Sequence, residues 1–251
     1  MYRELDVDRT IETLHTLRNR VGERFPDSSL QAVCGELTDL ARETRKRIES
    51  ISQPHMPTRL GVALVLLLAI GLTALMVTGI VVSQRDRFSI VELIQVTEPA
   101  TNEIVLIGAA LLFLFGMEVR IKRTRALKVL HELRAMSHVI DMHQLTKDPN
   151  HILGSPASRT KSSPQRTLTS FELTRYLDYC SEMLSLIGKL AALYAQSLPD
   201  TVVVAAVNDI ETLTNGMSRK IWQKIVMLEK DPANGPLPSA PASESQTPTD
   251  D

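Results

Sequence analysis

The sequence of 251 residues has few aromatic side chains (4% of the chain), only two cysteines and almost no net charge. Its 28 basic and 29 acidic residues give a formal charge of -1, so the composition provides no electrostatic argument for a nucleic-acid partner. Neither Cys34 nor Cys180 has a neighbour at the spacing of metal ligands, and both are therefore predicted to be packing residues.

Recognisable catalytic and nucleotide-binding motifs are also absent from the sequence. It contains no Walker phosphate-binding loop, no GxGxxG and no HExxH. No set of nucleophile, base and orienting residue can be assembled from known motifs. We therefore expect the chain not to be an enzyme and to bind neither a cofactor nor a metal.

Charged residues are missing altogether between Arg59 and Arg85, where the chain is strongly apolar. The run LGVALVLLLAIGLTALMVTGIVV, residues 60–82, is long enough to cross a hydrocarbon core of about 30 Å. We predict that it forms the first transmembrane helix. Its length and its distance from the first residue argue against a cleavable signal peptide.

A second apolar run, IVLIGAALLFLFGMEV, covers residues 104–119 and reaches roughly 24 Å as a helix. Because it is short, the charged residues at its ends, Glu103, Glu118 and Arg120, are expected to extend toward the membrane surfaces. We predict residues 104–119 as the second transmembrane helix and residues 83–103 as a short extracytoplasmic loop.

Basic residues beside the spans set the expected orientation, because positive charge near span ends is retained on the cytoplasmic side. The segment between the spans has only Arg85 and Arg87 against four acidic residues. We therefore predict that both termini are cytoplasmic and that the protein lies in a bacterial inner membrane. The basic residues predicted to face the lipid surface are Arg45, Lys46, Arg47, Arg59, Arg120, Lys122, Arg123 and Arg125.

The other segments show the seven-residue apolar repeat of paired helices. Residues 1–53, divided by a turn at PDSS, are predicted to form a helical hairpin, and residues 120–148 one amphipathic helix. An antiparallel hairpin is predicted at 169–230, opened by a capping box of Thr169 and Glu172. Residues 149–168 are typical of a flexible linker and 231–251 of a disordered tail. The predicted fold class is an all-α membrane protein with two transmembrane helices and cytoplasmic helical hairpins in a coiled-coil-like bundle.

The helix predicted at 120–148 carries three histidines in the stretch KVLHELRAMSHVIDMHQLTKDP. At 100° per residue, His131 and His138 fall nearly opposite the apolar seam of the helix. We therefore expect both histidines to lie outside the core. The seam itself consists of Val129, Leu133, Met136 and Ile140.

Residues 131–134, HELR, resemble the start of the phosphoacceptor box of histidine kinases, in which a solvent-facing histidine precedes an acidic residue on a dimerising helix below a membrane span. The resemblance implies that His131 accepts phosphate and that Glu132 handles the proton beside it. The threonine and proline that usually follow are Ala135 and Met136 here, and the sequence has no glycine-rich ATP lid. The phosphate would therefore have to come from a separate kinase.

Two other interpretations of this helix remain open. His138 and Asp141 are one turn apart on the same face and would be the residues of a metal site. Alternatively, the histidines and Asp141 form a polar face that is solvated or packs against the amino-terminal hairpin.

Sustained apolar repeats in helices outside the membrane favour association with other helices. The function expected from the sequence is therefore a membrane-anchored, self-associating scaffold or adaptor, with the bilayer, further copies of itself and an unidentified cytoplasmic or membrane protein as partners. The alternatives are an oligomeric pore or transporter subunit and a histidine phosphotransfer helix at His131.

Overall fold

The computed structural model describes residues 4–83, 90–147 and 168–229, and these residues form six α-helices and no strand. The all-helical class predicted from the sequence is confirmed for this part of the chain. The predicted linker at 149–168, apart from Leu168, and the predicted tail at 231–251 lie outside the described residues. The helices are α1 Val7–Arg24, α2 Ser29–Ser52, α3 Met56–Ser83, α4 Ile90–Leu145, α5 Ser170–Ser197 and α6 Thr201–Glu229.

Helices α1 and α2 form an antiparallel hairpin whose ends are fixed by side-chain caps. The Asp6 side chain accepts hydrogen bonds from the first backbone N–H groups of α1, and Ser28 does the same for α2. Asp27 in the turn has a φ of 53°, a left-handed conformation that aspartate tolerates better than most residues. Arg45 contacts Asp8 at 3.0 Å across the hairpin, close to the end at which α3 begins.

Helices α3 and α4 each include a stretch that is long and apolar enough to cross a membrane. Only 6% and 0% of the residues in their most apolar windows are buried, which distinguishes them from the core helices of a soluble protein. The exposed side chains include Leu67, Leu75 and Phe113. Apolar surface of this extent is stable where lipid covers it.

Helix α3 packs antiparallel against α4. A Cβ atom on Gly61 would lie 3.4 Å from the Leu114 side chain, so the two helices approach closely where α3 begins. Further into the apolar run, the Thr73 hydroxyl lies 3.3 Å from the Glu103 carboxylate. Glu103, expected at the membrane boundary, is therefore level with the middle of the first span.

Helix α4 differs from the prediction in its extent. Its 56 residues begin at Ile90, inside the segment predicted as a loop at 83–103, and continue through the second apolar run to Leu145 without interruption. The helix also contains Pro99, which lacks an N–H group but does not end the helix here. The loop prediction followed from the gap between the two apolar runs, but a helix does not need apolar residues to continue, and glutamate is a good helix former.

Helix α5 is the centre of a bundle formed with α1, α2, α6 and the part of α4 that follows the second apolar run. The sequence predicts an unusually wide apolar face for this helix, and 14 of its 28 residues are buried. The predicted capping box is confirmed, because Thr169 and Glu172 each bond to the other's backbone N–H. Helix α6 returns antiparallel, so that Gly188 of α5 faces Thr214.

Candidate functional site

The histidine-bearing face of α4 points away from the bundle core. Val129, Leu133 and Ile140 of the predicted seam are buried, while His131 and His138 are exposed. The prediction that these two histidines lie outside the core is confirmed. His143, one turn further on, contacts the Ser29 hydroxyl at 3.5 Å and so lies against the start of α2.

Glu132, the acidic residue beside His131, is engaged by a neighbouring helix. Its carboxylate accepts a hydrogen bond from Nη1 of Arg47 at 2.7 Å, while Nη2 of Arg47 contacts Glu43 at the same distance. The hydrogen bond to Glu132 is the main factor that raises the pKa of the Arg47 guanidinium. The contact joins α2 to α4 and leaves His131 without this carboxylate as a free proton acceptor.

Asp141 belongs to a polar network between α4 and α6. Its carboxylate accepts from the Gln144 side chain at 2.7 Å, and the Gln144 oxygen accepts from Nζ of Lys224 at 2.6 Å. Among the described residues, no group of three or more histidine, cysteine, aspartate or glutamate side chains has the arrangement of a metal site. The structure thus gives Asp141 a role in helix packing and brings no third ligand to His138.

The cysteines pack in the bundle. Cys34 and Cys180 are both fully buried, as predicted for packing residues. Burial raises the pKa of Cys34 to about 11 and that of Cys180 to about 12, so both thiols stay protonated at neutral pH.

Half of the basic residues predicted to face the lipid surface form ion pairs within the protein. Arg45 pairs with Asp8, Arg47 with Glu132, Lys122 with Glu118 and Arg123 with Asp200, at distances of 2.7 to 3.0 Å. Arg45, Arg47 and Arg123 thereby connect different parts of the bundle, whereas Lys122 pairs within α4. The remaining four are Lys46, Arg59, Arg120 and Arg125. None of them has a carboxylate within 4.0 Å in the three described ranges.

Two of these four residues, Lys46 and Arg125, line a cleft. It lies between the last turns of α2 and the turns of α4 that directly follow the second apolar run. The cleft has a volume of about 300 Å³. The sequence pattern did not predict Lys128 and Ser50 as lining residues of a cleft. Arg125 and Lys128 are three residues apart, however, and therefore share a helix face. The lining residues are Lys46, Arg47, Ser50, Ile51, Arg125, Lys128 and Val129.

A second cleft, of about 380 Å³, lies at the opposite end of the bundle beside Tyr179. Two of its three arginines form ion pairs: Arg20 contacts Glu182 at 2.9 Å, and Arg175 contacts Asp178 at 2.7 Å. Both guanidinium groups also lie 5.2 to 5.4 Å from the Tyr179 ring centroid, within the range of cation–π attraction. This cluster holds α1 against α5.

Large apolar side chains are exposed on the bundle as well as on the membrane helices. Met142 and Leu145 of α4 are 69% and 61% exposed, and Trp222 of α6 is 59% exposed. All three lie in the parts of α4 and α6 that are farthest from the apolar runs, where Lys224 and Gln144 join the two helices. We refer to Met142, Leu145 and Trp222 as the distal apolar residues.

The chain matches no protein-family model, no curated protein and no solved structure.

Proposed function

We propose that this protein is a self-associating helical scaffold or adaptor of the bacterial inner membrane, with its bundle in the cytoplasm. The observation that carries the proposal is the exposure of Met142, Leu145 and Trp222 on neighbouring helices of the bundle. Lipid can cover the apolar surfaces of α3 and α4, but these three side chains lie beyond the apolar runs. They are available to a protein partner.

Tryptophan is among the side chains that contribute most to protein interfaces, because it removes a large apolar area from water when it is covered. Trp222 is the only tryptophan of the chain. The apolar repeats of α4 and α6 already fill the bundle interior with their buried positions, so the distal apolar residues are additional to the core. This separation supports an interaction surface and a second copy of the chain as its first candidate partner.

The basic residues on the membrane side of the bundle support the proposed cytoplasmic placement. Arg59, Arg120 and Arg125 have no carboxylate partner in the described ranges and adjoin the apolar runs of α3 and α4. Such residues are retained on the cytoplasmic side of an inner membrane. Fusion of a reporter that is active only in the cytoplasm to each terminus tests this orientation, and a reporter that is inactive at either terminus contradicts it.

Self-association is tested with the full-length protein in a mild detergent by native mass spectrometry and by crosslinking in intact cells. We expect a defined oligomer from the parent chain and a shift toward monomer in Trp222→Ser. Gln223→Ser is the matched control, because Gln223 is the adjacent exposed residue on the same helix. A parent protein that remains monomeric and crosslinks to no other protein would contradict the proposal. The same fraction of oligomer in Trp222→Ser and Gln223→Ser would also contradict it.

One contact favours the alternative of a pore or transporter subunit. Glu103 reaches Thr73 at 3.3 Å, and ionisable residues within membrane helices commonly mark ion or proton pathways. Conductance across liposomes that contain the full-length protein tests this alternative. A conductance that is abolished in Glu103→Gln and retained in the control variant Thr101→Ala would favour the pore over the scaffold.

A further inference from the structure

The basic cleft between α2 and α4 lies where the bundle meets the membrane. Ser50 and Ile51 are in the last turn of α2, and α3 begins only a few residues later at Met56. On the other side of the cleft, Arg125 follows the predicted end of the second apolar run by six residues. A molecule in the cleft would therefore be at the depth of lipid headgroups.

Carboxylates of the described residues balance only part of the positive charge of the cleft. Its lining includes four basic residues, and only Arg47 among them has carboxylate partners within 4.0 Å in the described ranges. The other three, Lys46, Arg125 and Lys128, have exposed side chains. Cations gathered in one cleft repel one another, and an anion between them removes that repulsion.

The remaining lining matches a small phosphate-bearing group. Ile51 and Val129 are 3% and 2% exposed and form an apolar wall, while Ser50 adds a hydroxyl group that can donate a hydrogen bond. A volume of about 300 Å³ is at the lower end of the range for ligand pockets. The planar guanidinium group of Arg125, which has no carboxylate partner in the described ranges, suits the oxygens of a phosphate.

We propose that this cleft binds the phosphate of an anionic lipid headgroup in the membrane leaflet next to the bundle. The site is independent of the proposed self-association, since none of its residues belongs to the distal apolar residues. A soluble phosphate has the same chemistry, and the depth of the cleft beside the apolar runs favours the lipid as the source.

The experiment uses full-length protein in neutral detergent and follows acylation of lysines by peptide mass spectrometry. The probes are short-chain phosphatidic acid, short-chain phosphatidylcholine and inorganic phosphate. We expect phosphatidic acid to slow the acylation of Lys46 and Lys128 by at least about fivefold, while exposed Lys220 on α6 keeps its rate. Phosphatidylcholine has the same acyl chains without the net negative charge, and it should protect neither lysine.

Equal protection by inorganic phosphate at the same concentration would overturn the lipid as the source and assign the cleft to a soluble phosphate. Absence of protection by either anion would overturn the site.

The double variant Arg125→Gln/Lys128→Gln should weaken the binding of phosphatidic acid by at least about tenfold. Arg219→Gln/Lys220→Gln removes one arginine and one lysine from exposed positions on α6 and should leave that affinity unchanged. Equal losses in both double variants would mean diffuse electrostatic attraction and would also overturn the site.

Discussion

Arg123 and Asp200 form an ion pair at 2.7 Å that joins the first turns of α4 beyond its apolar run to the connection between α5 and α6. The Asp200 side chain also caps α6, because its carboxylate accepts hydrogen bonds from the backbone N–H groups of Val202 and Val203. One carboxylate therefore stabilises both a helix end and the attachment of the carboxy-terminal hairpin to α4.

The two roles of Asp200 are separable by substitution. Asp200→Asn keeps an oxygen that can cap α6 but loses the charge that pairs with Arg123, whereas Asp200→Ala loses both interactions. We expect the melting temperature to fall in Asp200→Asn and to fall further in Asp200→Ala, measured by circular dichroism in detergent. Equal melting temperatures in the two variants would show that the cap contributes nothing.

The same residue should make stability depend on pH. Hydrogen bonding to Arg123 is the main factor that lowers the pKa of Asp200 below its ordinary value of 3.8. The unfolded chain therefore binds this proton more readily, so the stabilisation is complete above about pH 4 and is lost as the pH falls through the lowered native pKa. The difference in melting temperature between the parent and Asp200→Asn should shrink as the pH is reduced from about 6 to about 3. A difference that stays constant over that range would contradict the ion pair.

Tyr194 is fully buried, and its hydroxyl has no hydrogen-bond partner among the described residues. Thr44 lies nearby, and its hydroxyl donates to the carbonyl of Leu40, but it makes no hydrogen bond with the Tyr194 hydroxyl. Burial is the main factor that raises the pKa of Tyr194. A buried hydroxyl without a partner costs free energy, so its removal should not destabilise the protein. We expect the free energy of unfolding of Tyr194→Phe to lie between about 0.5 kcal/mol below and about 1 kcal/mol above that of the parent.

Tyr179→Phe is the matched control for Tyr194→Phe. Tyr179 is also buried, but it interacts with Arg20, whose guanidinium lies 5.2 Å from the ring centroid and near the hydroxyl. We expect Tyr179→Phe to lower the free energy of unfolding by about 1 kcal/mol. Denaturant unfolding in detergent compares the two variants, and a larger loss in Tyr194→Phe than in Tyr179→Phe would refute the assignment.

The contact between Arg47 and Glu132 should be measurable as a coupling between α2 and α4. Both side chains are about one third exposed, at 34% and 36%, so solvent weakens their attraction. A double-mutant cycle with Arg47→Gln and Glu132→Gln should give a coupling free energy of about 0.5 to 1 kcal/mol. The cycle with Glu43→Gln, whose carboxylate is more exposed, should give a smaller value. A coupling of zero for Glu132 would mean that the pair does not hold the helices together.

Because His131 is exposed, we expect its substitution to leave the fold intact. His131→Ala and His138→Ala should each change the free energy of unfolding by less than about 0.5 kcal/mol, because neither side chain contributes to the core. We expect the full-length protein from growing cells to carry no acid-labile phosphate at His131, since Glu132 is engaged by Arg47. Acid-labile phosphate that disappears in His131→Ala and persists in His138→Ala would instead favour the phosphotransfer function.

The apolar pattern of the sequence was sufficient to predict the position of the buried face of α4, although Met136 of the predicted seam is only partly buried and Leu130 outside it is buried. Val129, Leu133 and Ile140 are buried because residues on one face of a helix recur with a fixed period, and the apolar residues of this part of α4 lie on the face that meets the core. The capping box of Thr169 and Glu172 was predictable for a similar reason, since both partners lie within one turn of the chain.

Other features depend on contacts that no local pattern encodes. Arg47 and Glu132 are 85 residues apart, and their pairing requires α2 and α4 to be neighbours in the bundle. The extent of α4 was mispredicted because hydrophobicity indicates which residues favour lipid, whereas a helix continues wherever the backbone hydrogen bonds do. The basic cleft was missed because its two walls belong to different helices.

The two connections between the membrane helices and the bundle differ in stiffness. Helices α2 and α3 are separated by the non-helical residues 53–55, whereas α4 enters the bundle as an unbroken helix. From residue 120 to residue 145 this helix extends about 39 Å, so a change of about 10° in its tilt displaces its distal end by about 7 Å. In the proposed membrane placement, a bilayer thickness that changes the tilt of α4 would therefore move Met142 and Leu145 sideways relative to the membrane surface.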